Sequence, residues 1–219
     1  MTEALRSLDV PEPRPETLPG LQHVQRSWDR HAGKWAARIL PGEYFVTRSD
    51  EVITTVLGSC ISACVCDSRL RIGGMNHFML PEDTSNGSST WLDPRVGLAT
   101  RYGSFAMESL INDLLKLGAL RERLEVKLVG GGRVLASMTD VGARNIEFAR
   151  NWLRLEGLSV TGEDVGETHP RRVLYFPATG KVLLHRLRTL ERGNVASREQ
   201  HYLATLRESQ RGNDVELFE

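Results

Sequence analysis

Residues 51–80, EVITTVLGSCISACVCDSRLRIGGMNHFML, constrain the fold of this chain more than any other stretch. Small and β-branched apolar side chains dominate it. Its punctuation is confined to Gly58-Ser59 and to the polar turn Asp67-Ser68-Arg69. Three strands follow from that pattern: EVITTVLG, CISACVCD and RIGGMNHFML, the last two closed into a hairpin by the short turn. Upstream, ARILPGEYFVTR has strand chemistry with a Pro-Gly turn inside it.

The rest of the chain alternates helical and strand periods. Residues 98–117 carry apolar side chains at helical spacing, with Gly118 as a stop. LEVKLVGGGR is a strand running into a glycine loop, Gly130–Gly132 with Arg133, which reads either as the mouth of a site or as an ordinary strand-to-helix turn. Residues 141–156 form a second helix between Asp140, an N-cap, and Gly157. LSVTGEDVG is a strand, and RRVLYFPATGKVLLHRL a hairpin turning at 177–180. Between the first hairpin and the first helix, PEDTSNGSSTWLDPRVG is long and turn-rich, the composition of a mobile lid. Hairpins beside helical crossovers place the chain in the α/β class: a mixed β-sheet in a single domain, with covering helices.

The length of 219 residues suits one domain with extensions. Residues 1–36, with four prolines in the first twenty and Trp28 and Trp35 among charges, are expected to be a flexible N-terminal extension. The domain is expected over 37–190 and a C-terminal helical extension over 191–219. Lys plus Arg and Asp plus Glu are 28 each, so no global basic field exists to hold nucleic acid. Neither a bilayer-spanning apolar run nor a signal-peptide core is present, which predicts a cytoplasmic protein without membrane insertion.

That compartment keeps thiols reduced, and the three cysteines, Cys60, Cys64 and Cys66, are an odd count without a disulfide framework. A structural zinc site needs further cysteines or histidines at ligand spacing, and a redox C-x-x-C is missing, so no metal is expected. Cys64 and Cys66 read as packing residues within a strand. Cys60 stands apart. It follows Gly58-Ser59, where backbone N–H groups exposed at a tight turn stabilise a thiolate and then an oxyanion. His77 lies near the end of the paired strand. With the hairpin closed around 67–71, position 60 falls opposite 78 or 79, which brings thiol and imidazole together. Cys with His is the pair that thiol catalysis uses; His77 as a satisfied buried histidine is the other reading. A third group must orient the imidazole, and Thr54 on the preceding strand has the hydroxyl for it, although a β-branched strand residue there is unremarkable.

These residues resemble a known family. VITTVLGSCISACVCDSRLRIGGMNHFMLP is similar to the signature of CheD, the chemoreceptor glutamine deamidase of bacterial and archaeal chemotaxis: a threonine, then L-G-S-C, then G-G-x-x-H-x-x-L-P. KLVGGGRVL, DVGARNIEFARNWLRLEGLSV, EDVG and RRVLYFPATGKVLL continue the likeness in order over about residues 38–187. Glu167 departs from it, standing where the family commonly has a second glycine.

The resemblance implies a CheD-like fold and a protein-glutamine glutaminase with a Cys–His–Thr triad. Cys60 would be the nucleophile, His77 the base and Thr54 the orienting residue, with Thr55 one position on as the alternative. Gly58 and Ser59 would supply the oxyanion contacts. It implies methyl-accepting chemotaxis receptors, through their cytoplasmic helices, as substrates, and in some organisms a CheC-type phosphatase as partner. The chemistry requires neither metal nor organic cofactor. Two other classes stay open on the sequence: another thiol acyl-transfer enzyme, such as a peptidase or transglutaminase, and a non-catalytic adaptor binding a CheC-type phosphatase or receptors.

Overall fold

The structure is a computed structural model, describing residues 13–80, 98–134, 141–187 and 189–212. Among these, the strands are β1 (Gln25–Asp29), β2 (Lys34–Arg38), β3 (Tyr44–Thr47), β4 (Val52–Leu57), β5 (Ile61–Asp67), β6 (Ile72–Asn76), β7 (Glu125–Gly130), β8 (Val160–Val165), β9 (Arg171–Phe176) and β10 (Lys181–Arg186). The helices are α1 (Leu98–Lys116), α2 (Val141–Leu155) and α3 (Thr189–Gly212). The strands form two mixed sheets, in the orders β1-β2-β4-β9-β10 and β3-β6-β5-β7-β8. Pairing is antiparallel except for β2 with β4 and β7 with β8. A parallel pair needs a crossover, and α2 supplies it between β7 and β8.

The expected α/β class, hairpins and covering helices are found, with the strands divided between two sheets rather than gathered in one. The division explains the composition of 61–67: all seven residues of β5 are buried. Helices α1 and α2 lie against the second sheet. On its other side the first sheet brings Tyr175 of β9 beside Cys66. A Cβ built on Gly180, in the β9–β10 turn, would sit 2.8 Å from Cys66 Sγ. Apolar residues of both sheets belong to one continuous core. By contrast β10, at the edge of the first sheet, has no fully buried residue.

The glycine pair of β6 serves this double cover. A Cβ on Gly74 would come within 2.7 Å of Leu110 Cδ1 on α1, and one on Gly73 within 2.8 Å of the Val65 carbonyl oxygen. Contacts that short force the neighbours apart, so the helix and strand approach only because the side chains are absent.

The flexible extension expected over 1–36 needs correction. Residues 25–36 belong to the sheet, as β1 and most of β2. Trp28 and Trp35 are directly opposed across that hairpin, rings edge to face at 6.1 Å. Arg26 makes a buried ion pair with Glu51, whose other oxygen accepts from Thr47 Oγ1 at 2.9 Å. Leu21 and Val24 are in the core. Of the charges in this hairpin, Arg26 is buried, while Asp29, Arg30 and Lys34 are half-buried or exposed. Residues 1–12, the expected lid at 81–97, the cap Asp140 and the acidic end at 213–219 lie outside the described residues. The C-terminal helix is present as α3.

Glu167 adopts φ of 59°, the left-handed region that favours glycine, which gives a conformational meaning to its departure from the family pattern. Its carboxylate faces Arg186 Nε at 3.3 Å.

Candidate active site

The turn between β4 and β5 is Gly58-Ser59-Cys60, and its backbone is held from outside. Gly132 N donates to the Gly58 carbonyl and Gly131 N to the Cys60 carbonyl, both at 2.7 Å. Asn145 Nδ2 of α2 donates to the Ser59 carbonyl at 2.8 Å, while its Oδ1 accepts from Leu80 N at 2.9 Å. With all three carbonyls tied back, the three N–H groups converge on the opposite side. The glycine loop 130–132 is therefore a buttress of this turn. A Cβ on Gly130 would lie 2.3 Å from the Cys60 carbonyl oxygen, and Gly130 has φ of 113°.

The hairpin register places position 60 opposite 79: Ile61 and Phe78 exchange backbone hydrogen bonds at 2.9 and 3.0 Å, and Cys64 pairs with Met75. Cys60 Sγ, a ring nitrogen of His77 and a carboxylate oxygen of Glu199 lie within 4.8 Å of one another. All three residues are buried.

The threonine that meets His77 is Thr55: Oγ1 lies 2.8 Å from His77 Nδ1. Thr54, the expected partner, points to the other side of β4 and donates to the Val173 carbonyl at 2.9 Å. Strand alternation makes this a strict choice, since adjacent residues face opposite ways. The bonding also fixes the tautomer. The single proton of the Thr55 hydroxyl goes to the Ile39 carbonyl at 2.8 Å, so Oγ1 accepts from Nδ1–H and Nε2 carries the free lone pair. Among the described residues His77 Nε2 has no hydrogen-bond partner.

The N–H cluster is occupied by Glu199 of α3. Its Oε1 accepts from Gly58 N at 2.8 Å and Cys60 N at 3.2 Å. Its Oε2 accepts from Ser59 N and Ser59 Oγ, both at 2.7 Å. Burial pushes the Cys60 thiol well above its usual range, and the charge of Glu199 pushes it further. Burial takes His77 down to about 3, against a smaller upward pull from the Ile39 carbonyl. Thiol and imidazole are thus both neutral in this arrangement. Cys, His and Glu are residue types that hold zinc. Here each oxygen of Glu199 already accepts two hydrogen bonds, so donors, not a cation, neutralise it.

Cys64 and Cys66 are free and buried in β5, away from the turn. Sequence reasoning missed Asn145 and Glu199. An asparagine inside a helix carries no mark of what it holds, and Glu199 is 139 residues from Cys60 on a helix that reads as surface. No helix among the described residues is long and apolar enough to cross a membrane.

Comparison with known proteins identifies the family. Residues 79–186 match the family described as CheD chemotactic sensory transduction. The chain is 52% identical over 204 residues to the probable chemoreceptor glutamine deamidase CheD of Halorhodospira halophila, covering 93% of this chain and 94% of that protein. It is 48% identical over 208 residues to the protein of the same name in Hahella chejuensis, covering 95% and 97%. The corresponding protein of a Janthinobacterium species is 49% identical over 193 residues, covering 87% and 93%. Identity of this order over nearly the full length of both partners, joined to the fold and the turn described above, means that the chain belongs to the CheD family.

Proposed function

We infer that this chain is a chemoreceptor glutamine deamidase, converting glutamine side chains of receptor cytoplasmic helices to glutamate, and that Cys60, His77 and Thr55 carry the reaction. The observation that supports the residue assignment best is the Thr55–His77 hydrogen bond at 2.8 Å, which leaves Nε2 unprotonated on a ring that has a nitrogen within 4.8 Å of the Cys60 thiol sulfur. Thr55, the alternative to Thr54 under the family resemblance, takes the orienting place. Family membership and the relatives' names support the substrate.

His77 Nε2 takes the thiol proton, and Cys60 Sγ attacks the side-chain carboxamide carbon. The tetrahedral oxyanion sits against the N–H groups of Gly58, Ser59 and Cys60, which already accommodate a carboxylate. Collapse breaks the C–N bond, His77 returns its proton, and ammonia leaves a thioester on Cys60. His77 then deprotonates water, which attacks the thioester. The thiolate leaves and recovers a proton, and the product is glutamate. Each conversion adds one negative charge to a receptor helix, and repulsion between neighbouring helices changes their packing. The reaction belongs in the cytoplasm, where those helices lie. A CheC-type phosphatase as a further partner rests on the family likeness alone, and a binding measurement with such a protein tests it.

The decisive experiment is mass spectrometry of a receptor cytoplasmic fragment incubated with the protein. Replacement of NH₂ by OH adds about one dalton per converted glutamine. Cys60→Ala abolishes the gain and the ammonia release while the fold persists. Full activity in Cys60→Ala overturns the assignment. Chain cleavage or amine incorporation in place of ammonia release points to one of the other thiol acyl transfers.

A further inference from the structure

The proposed product is a glutamate carboxylate presented by an α-helix. Helix α3 of this same chain presents a glutamate carboxylate to the same N–H groups, 2.7 to 3.2 Å away. We propose that α3 is an internal competitor of the receptor helix: Glu199 occupies the place of the product glutamate and must withdraw before a receptor glutamine reaches Cys60. This rests on the deamidase reading for its substrate, but not for the physical block.

The docking of α3 is one-sided. Val195, Glu199 and Leu203, four residues apart and so on one helical face, are buried, while Arg198 and Gln200 on either side of Glu199 are exposed. The Tyr202 hydroxyl meets the Tyr102 hydroxyl, and a Cβ on Gly42 would lie 2.8 Å from Tyr202 Oη. A small pocket beside Thr55 and His77 is walled by Val195, Arg198 and Glu199. The contact is specific at the turn itself, where a Cβ on Gly58 would sit 2.6 Å from Glu199 Oε2.

With α3 in place Cys60 is 0% exposed, so no substrate side chain has a path to Sγ. The same carboxylate, with burial, holds the thiol protonated, and the attacking species is the thiolate. Both obstacles lift together when the helix leaves. The chain just before α3 is anchored, since Leu187 is buried and its N–H donates to the Pro170 carbonyl at 2.9 Å. Departure of α3 therefore leaves β10 and the sheet in register. The competitor that displaces it is a second helix whose glutamine carboxamide offers the cradle an oxygen of the same geometry.

The test compares wild type, Glu199→Ala and Glu199→Arg, the last placing a cation against three N–H donors. Iodoacetamide labelling of Cys60, localised by peptide mass, is the first readout, and ammonia release from a receptor cytoplasmic fragment the second. Circular dichroism melts establish that each variant is folded. Labelling of Cys60 is expected to accelerate about tenfold or more in both variants, because the reactive state is no longer a minor one. KM for the fragment is expected to fall, with kcat little changed. Labelling rates equal to wild type in both folded variants overturn the proposal. Accelerated labelling without ammonia release from any of the three proteins sustains the internal block and overturns the deamidase reading instead.

Discussion

Replacing Thr55 by valine is the sharpest probe of how His77 is set. Valine is nearly isosteric with threonine and removes only the hydroxyl that accepts from Nδ1–H at 2.8 Å and donates to the Ile39 carbonyl at 2.8 Å. During attack the imidazole gains a proton, so the bond to Oγ1 becomes one between a cation and a neutral acceptor. Hydrogen bonds to charged groups contribute about 1.5–3 kcal/mol, which is about a 10- to 150-fold loss in kcat. The unpartnered Ile39 carbonyl and imidazole N–H add a stability cost of about 1–3 kcal/mol. Thr54→Val removes a hydroxyl bonded to the Val173 carbonyl on the opposite side of β4, so its kcat should stay within about threefold of wild type. Ammonia release from a receptor fragment, measured at saturating substrate on folded protein, separates the two. Equal losses in both variants, or a greater loss in Thr54→Val, refute the assignment of Thr55.

Three further outcomes follow from the same geometry. His77 has its folded pKa depressed to about 3 while the unfolded value is about 6.5, so it adds stability above pH 6.5 that is lost as pH falls toward 3; at pH 5.5 the loss is on the order of 1 kcal/mol. Thermal melts at pH 7.5 and 5.5 should show that increment in wild type and lack it in His77→Gln, and an identical pH shift in both proteins counts against it. Gly130→Ala puts a methyl 2.3 Å from the Cys60 carbonyl oxygen at a φ of 113°, so it should displace the turn and remove activity, and an active Gly130→Ala enzyme contradicts the buttress. Asn145→Ala removes two buried hydrogen bonds, to the Ser59 carbonyl and from Leu80 N, and should destabilise the protein by about 2–4 kcal/mol in denaturant melts while lowering kcat; unchanged stability excludes its bracing role.

The hairpin of β5 and β6 was legible because its punctuation is local. A short turn over residues 68–71, between apolar runs, fixes the register, and the register brings position 60 to 79 and His77 to the thiol's neighbourhood. The helices α1 and α2 were legible for the same reason, each ending just before a glycine of positive φ, Gly118 and Gly157. Alternation along β4 guaranteed that only one of Thr54 and Thr55 faces the imidazole. Which one depends on the side of the strand that receives β9 and the Ile39 carbonyl, and that is a fact about other segments.

The sequence by itself determined the class of fold, through local periods along the whole chain, and it singled out the cysteine after its glycine turn and a histidine able to pair with it, both within about thirty consecutive residues. Only the tertiary structure decided the rest. The division into two sheets, the enrolment of Trp28 and Trp35 in an edge hairpin, the brace from Asn145 and the carboxylate of Glu199 in the N–H cradle all join segments far apart in the chain. Their residues carry ordinary local patterns, and they acquire a role only from what packing places against them.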